Sequence, residues 1–338
     1  MRVLHILEDH ENDCASRYAA EVIIGLQQIG IEQCALINKR SPRIAELEKS
    51  GVKILPLAAR MPWRPSRRLW LRKIIARLQP EVTHCWSRSA VRLVPQSKMP
   101  VVGWLAGNDK PRRFTRCTHF VSTSRDAVLA GEKEIQSRYI PDFSIFSPVP
   151  PLDRMTLATA REAKVLLSLA PLHPASQLEI LFGVLEKLPE VVVWFGGQGP
   201  LRRVLENKAR MLGVSDRVRF VSAQINRGAL LRAADLSILV APERTSGTII
   251  PESWAAGTPV IAVYKKGFVT PLEDGVNGLL VSNSDEEACL DTIRRGLKDD
   301  ALRCRLIAKG YAAYLGTYAR EAIIRQWTDF YRDVVART

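Results

Sequence analysis

Apolar and polar positions fall in blocks along most of this chain rather than alternating residue by residue. MRVLHILE opens with Val3, Leu4, Ile6 and Leu7 in a nearly continuous apolar run, which predicts a buried strand. Ala19, Ala20, Ile23, Ile24 and Leu26 then recur at helical spacing, with a helix expected from about Ser16 as its cap and Gly30 as its stop, before a second strand, EQCALIN. Strand, helix and strand at this spacing make a βαβ unit. The pattern repeats through VKILPL, a basic helix ending near Gln79 and Pro80, and the strands EVTHCWS, PVVGWLA and HFVSTS. Such runs belong to parallel strands covered on both faces, so residues 1 to about 140 read as one doubly wound domain.

Pro141, Pro148, Pro150 and Pro151 interrupt regular structure in IPDFSIFSPVPPLD and predict a stiff linker. Beyond it, strands AKVLLSLA, EVVVWFGG, RVRFVSA, LSILVAP and PVIAVYK alternate with helices QLEILFGVLEKL, PLRRVLENKARMLG, RGALLRAA and PESWAAG. NGLLVSN adds a short last strand, and the remainder from Asp285 is expected to be helical. The predicted fold class is therefore α/β, with two doubly wound Rossmann-like domains. The expected divisions are 1–150, 151–315 and a closing helix over 316–338.

A length of 338 residues suits two domains of roughly 150 residues each. Hydrophobic residues make up 46% and charged residues 25%, which excludes a disordered or fibrous chain. No stretch approaches the ~18 uncharged apolar residues of a spanning helix, and the first residues, with acids soon after the apolar run, do not resemble a signal peptide. A cytoplasmic location is expected. Cys14, Cys34, Cys85, Cys117, Cys289 and Cys304 are scattered without zinc-site or redox spacing, so they read as reduced packing thiols, and neither a metal nor a disulfide is predicted.

Net charge is +14 and uneven, with 25 Lys/Arg against 15 Asp/Glu in residues 1–155 and 24 against 20 in the rest. The densest segment is RMPWRPSRRLWLRKIIAR, where Arg64, Arg67, Arg68, Arg72, Lys73 and Arg77 occur with Trp63 and Trp70 and without one acid. Basic residues beside indoles suit an anionic membrane surface, where each cation is worth about 1 kcal/mol. The same segment reads equally well as a surface helix that buries Leu71, Ile74, Ile75 and Leu78 and leaves its arginines solvated. Nucleic acid is not an expected partner, because no stacking motif or helix-turn-helix accompanies the charge.

In doubly wound domains, ligands bind beyond the carboxyl ends of the strands. GGQGP, with Gly197 and Gly199, follows one such strand; it reads as a close backbone approach to a ligand or as a tight strand-to-helix connection. ERTSGTIIPESWAAGTPVIAV carries more. Ser246, Gly247 and Thr248 lie between strand and helix, where free amides and the helix dipole favour a phosphate. Glu252 follows near the helix start, with Pro251 in the first turn, and its carboxylate can accept hydrogen bonds from vicinal hydroxyls such as those of ribose.

Val165 to Leu280 resembles the donor domain of the retaining GT-B glycosyltransferases of family 4. LSLAPLHP, WFGGQGPLRRVLENKARMLGVSDRVRFVS, ALLRAADLSILVAP, GTIIPESWAAGTPVIAV and EDGVNGLLV match in order, and QWTDFYRDVV resembles the closing helix that crosses back to the first domain in that family. The segments are most similar to bacterial members that build lipopolysaccharide and envelope glycans. The resemblance implies two domains facing each other and transfer of a sugar, with retained configuration and no essential metal, from a nucleoside diphosphate sugar to a lipid-linked or glycan acceptor. It implies no cofactor beyond that co-substrate, and a chain peripheral to the inner membrane face; a monomer or weak homodimer is expected.

The resemblance also exposes departures. The family's diphosphate-binding Arg falls on Pro171 and its Lys on Ser176. The first of its paired glutamates falls on Arg244, with Glu243 beside it, so these two are the catalytic candidates. The acceptor-side loop reads DHENDCAS, with Asn12 and Asp13 where paired glycines are usual, and the family's sugar-side His falls on Ala106. Either the site is rebuilt, with Arg244, His173 or the Lys265 and Lys266 pair supplying cations, or catalysis is lost and the fold binds a sugar nucleotide or partners an active transferase.

Overall fold

In a computed structural model of the chain the described residues are 1–8, 14–57, 64–96, 99–105, 114, 116–123, 136–143, 149–241, 248–264, 271–282 and 286–337. The chain divides into two compact units, Met1–Phe143 with Arg320–Thr338, and Ser144–Ala319.

Among the described residues the first unit holds strands β1 (Arg2–Leu7), β2 (Glu32–Asn38), β3 (Lys53–Leu57), β4 (Val82–Cys85), β5 (Val101–Leu105), β6 (His119–Ser122) and β7 (Gln136–Tyr139). They pair in parallel in the order β3-β2-β1-β4-β5-β6-β7. Helices α1 (Cys14–Gln28), α2 (Ile44–Lys49), α3 (Arg64–Leu78) and α4 (Arg88–Leu93) come from the same part of the chain. The first helix begins at Cys14, so Ser16 lies inside it rather than capping it. Gly30, at φ +81°, ends it as expected, its N–H bonded to the Gln27 carbonyl.

The second unit holds β8 (Lys164–Ser168), β9 (Val191–Phe195), β10 (Val218–Phe220), β11 (Leu236–Ala241), β12 (Val260–Tyr264) and β13 (Leu279–Ser282), parallel in the order β10-β9-β8-β11-β12-β13. Its helices are α5 (Ile180–Lys187), α6 (Arg202–Met211), α7 (Arg227–Ala233), α8 (Ile249–Ala256), α9 (Glu286–Lys298) and α10 (Asp300–Ala313). One apolar layer lies on each face of the sheet, built around Leu166, Phe182 and Ile238 on one side and Leu167, Trp194 and Trp254 on the other, and it buries the central strands, while the edge strand β10 stays partly exposed. Arg154 secures the chain leaving the proline segment: its guanidinium donates to the carbonyls of Ala233 and Ala163 and pairs with Asp235 at 2.8 Å.

The last helix, α11 (Arg320–Ala336), belongs to the first unit. Trp327 and Tyr331 are fully buried there, and Trp327 donates to the Tyr18 hydroxyl at 3.1 Å. Gly25 on α1 permits the contact, because any β-carbon at that position would collide with Ile324. Under this helix lies a polar pair on adjacent strands. His5 accepts from the Trp86 indole and lies 2.9 Å from Gln33, while His84 meets the Tyr331 hydroxyl at 2.5 Å. Burial lowers His5 to about 4 and holds His84 well below the ordinary imidazole range, so both rings are neutral at pH 7.

Candidate active site

The strand order of the second unit reverses between β8 and β11, because β9 and β10 extend to one side and β12 and β13 to the other. A crevice at the carboxyl ends of those two strands is where a doubly wound sheet binds ligands. In the first unit the corresponding reversal lies between β1 and β4.

The loop after β8 is closed by internal bonds. Ser176 is 6% exposed, and its hydroxyl donates to the Pro171 carbonyl at 2.6 Å; the His173 N–H donates to the same carbonyl at 2.8 Å. The two positions at which the family resemblance places cations are thus bonded to each other. His173 itself is exposed.

GGQGP packs against this loop backbone to backbone. The Leu172 N–H donates to the Gln198 carbonyl at 2.9 Å, and the Leu201 N–H returns to the Leu172 carbonyl at 3.0 Å. A β-carbon on Gly197 would strike the Ala170 carbonyl, and one on Gly199, at φ +152°, the Leu172 carbonyl. Both glycines are accounted for by this approach of two loops. Gln198 extends the contact to the next strand by donating to the Val221 carbonyl.

Across the reversal stands α8. It begins at Ile249 after Thr248, so Pro251 and Glu252 both fall in its first turn, where proline loses little and a carboxylate offsets the dipole. The Glu252 N–H bonds the Thr248 carbonyl at 2.8 Å, and Gly257, at φ +72°, ends the helix in the left-handed conformation glycine adopts freely. Ser253 anchors the helix on the sheet through bonds to the Ile249 carbonyl and the Ser237 hydroxyl. The buried Trp254 indole donates to the Asn277 carbonyl at 2.7 Å. This packing fixes the helix that carries Glu252.

The Glu252 carboxylate is 12% exposed and pairs with Arg227, whose Nη2 lies 2.8 Å from Oε2. Arg227 opens α7 on the loop after β10 and was absent from the residues singled out in the sequence. One local signal marks it: a cation in the first position of a helix is electrostatically misplaced and calls for a carboxylate nearby.

Glu243, Arg244, Ser246, Gly247, Asn12, Asp13, Ala106, Lys265 and Lys266 lie outside the described residues. Of the basic segment, the Arg64 side chain does also. Arg67 pairs with Glu8 at 3.1 Å and Arg68 donates to the Arg92 carbonyl, while Trp70, Ile74, Ile75 and Leu78 pack partly against the core around the buried Leu71. The buried stripe therefore forms, and Arg67, Arg68 and Trp70 are engaged within their own domain. Arg72, Lys73 and Arg77 remain exposed beside Leu69, which is 58% exposed. Among the described residues no helix is long and apolar enough to cross a membrane.

This architecture agrees with the comparisons. The family described as glycosyl transferases group 1 matches residues 153–313. Over 95% of both chains, the protein is 30% identical to the lipopolysaccharide core biosynthesis glycosyltransferase LpsE of Rhizobium meliloti (strain 1021), and over the whole of both chains it is 26% identical to LpsD of the same organism. Among solved structures, Anabaena Alr3699/HepE in complex with UDP superposes with a TM-score of 0.73 at 15% identity, covering 98% of this chain and all of that one. The chain belongs to the group 1 glycosyltransferases and has the two Rossmann-like domains of the GT-B fold.

Proposed function

We propose that this transferase moves a hexose from a nucleoside diphosphate sugar to a lipopolysaccharide core or related envelope-glycan acceptor, with retention and without a required metal. The similarity to LpsE and LpsD along the full chain carries the acceptor class. Glu252, held on a rigid helix beside the reversal of strand order, supports the donor class, and the UDP complex of the structurally similar HepE agrees with it. In this reading Glu252 accepts the ribose hydroxyls, the segment ending in Thr248 receives the diphosphate, and Glu243 and Arg244 face the reacting centre. A departing diphosphate needs fixed positive charge or amides, which is the electrostatic demand on that segment.

The acceptor is lipid-linked and held at an anionic membrane face. Arg72, Lys73, Arg77 and Leu69 on the open side of α3 support that placement.

The bond between Ser176 and Pro171 favours a second reading, in which the chain binds a sugar nucleotide without turning it over. Nucleoside diphosphate release from a panel of sugar nucleotides, comparing wild type with Glu252→Ala and Arg244→Ala, separates the two. Release that both substitutions abolish supports transfer; binding without release supports the silent relative.

A further inference from the structure

Arg227 stands where a cation is disfavoured, at the opening of α7, and it has no part in capping that helix. Asn226 does so, its side-chain oxygen accepting from the N–H groups of Gly228 and Ala229. The guanidinium instead crosses to the first turn of α8 and meets Glu252 at 2.8 Å. Exposure is lopsided: the carboxylate is 12% exposed and the arginine 48%. A largely buried anion is thus covered by a cation that still reaches water.

We infer that Arg227 is a positioning residue for Glu252, holding its carboxylate in one rotamer to receive the vicinal hydroxyls of the donor ribose. The inference rests on the donor-site reading above. A largely buried carboxylate that loses this cation is freer to turn toward water, and that change removes the acceptor geometry that the hydroxyls need. Fixing the group before the ligand arrives lowers the ordering cost of binding. The guanidinium comes from the first residue of α7, after β10, and the carboxylate from the first turn of α8, after β11, so one ion pair also ties the openings of two helices at the carboxyl edge of the sheet. Because the loop after β8 spends its two candidate positions on each other, Arg227 brings to the donor side a positive charge that this loop does not.

The test is a double-mutant cycle on the full chain, read as the dissociation constants of UDP, GDP, ADP and CDP by calorimetry, with the fold of each variant checked by circular dichroism. With the tightest-binding nucleotide, Arg227→Gln is expected to weaken affinity about tenfold, Arg227→Lys to restore it to within about threefold, and Glu252→Gln to weaken it about tenfold. Adding Arg227→Gln to Glu252→Gln is expected to cost less than about twofold more. Equal losses in both backgrounds would mean that Arg227 touches the ligand directly, and no loss in either would mean that the pair is irrelevant to binding; each overturns the inference alone. If Glu252→Gln leaves affinity unchanged, or none of the four nucleotides binds, the donor-site reading itself has failed and the inference with it. Should Arg227→Gln not fold, Arg227→Lys in the two backgrounds makes the same comparison, a loss confined to the Glu252 background being expected and an equal loss in both contradicting it.

Discussion

Ser176 donates a 2.6 Å hydrogen bond to the carbonyl of Pro171, and so joins two positions at which related transferases are expected to carry a lysine and an arginine. The bond closes the loop after β8 on itself, with Leu172 buried beside it and GGQGP packed behind. Ser176→Lys is expected to lower the melting temperature by several degrees, because it places a charge in a 6% exposed position and deletes a bond worth about 1 kcal/mol. Ser176→Ala is expected to cost only the bond. Thermal unfolding of the two variants checks the order, and a lysine variant as stable as wild type would show that the loop opens freely.

Gly197 gives a sharper structural test. Its β-carbon would meet the Ala170 carbonyl, which is backbone and has no rotamer to yield. Gly197→Ala is expected to destabilise by about 1–3 kcal/mol and to weaken nucleotide binding through the displaced loop. Gly213, with open space around it, is strained only by its φ of +66°, and Gly213→Ala is expected to cost about 1 kcal/mol with no effect on binding. Chemical denaturation and nucleotide titration of both variants distinguish them.

Much of the scaffold was legible because the central strands are nearly pure apolar runs. EVVVWFGG and PVIAVYK read as strands inside a sheet covered on both sides, and they are buried there. VKILPL carries a similar run but forms the edge strand β3, with Lys53 and Pro56 exposed and only Leu57 buried. β7, with the sequence QSRY, escaped notice because an edge strand with half-exposed side chains carries no such run. α2 is six residues long, too short for its period to register. Glu252 was legible from its place after a strand and near a helix start. Arg227 was not, since it sits 25 residues away inside the ordinary helical pattern of RGALLRAA, and only the packing of α7 beside α8 brings the two together. The loop glycines show the opposite case: their presence was plain, but a close approach to a ligand and one to a neighbouring loop write the same sequence.

Acid should loosen the first unit in a defined window. Folded His5 takes its proton only near pH 4, whereas the unfolded imidazole takes it near 6.5. Between those values the unfolded chain holds more protons, so stability is full above about pH 6.5, falls as pH drops, and loses no more from this group below about pH 4. The shift corresponds to on the order of 3 kcal/mol, and His84, lowered by burial and by the neighbouring His5, acts in the same direction. Urea unfolding at pH 7.5, 6 and 5, followed by tryptophan fluorescence, is expected to show a falling midpoint. Tyr331→Phe removes the hydroxyl that meets His84 and is expected to cost about 1–3 kcal/mol at pH 7.5. A midpoint independent of pH over this range would contradict the buried neutral pair.

The membrane attachment proposed above is tested at the exposed side of α3. Replacing Arg72, Lys73 and Arg77 together by glutamine is expected to weaken binding to vesicles rich in anionic lipid by about 100-fold, at about 1 kcal/mol for each cation. Arg67→Gln is expected to act on stability, since that side chain is paired with Glu8. Sedimentation with vesicles at two salt concentrations reads the difference. If the triple variant sediments like wild type, the surface that meets the membrane lies elsewhere.

In the proposed function the helix carrying Glu252 serves sugar transfer to an envelope glycan. Its most direct measurement supplies radiolabelled sugar nucleotides, UDP-glucose and UDP-galactose among them, with truncated lipopolysaccharide core as acceptor, and follows label into the lipid-linked product. Wild type is expected to transfer label from one donor, and Glu252→Ala to lose at least about tenfold in kcat/KM while keeping its fold. Transfer undiminished in Glu252→Ala would show that Glu252 does not serve the donor.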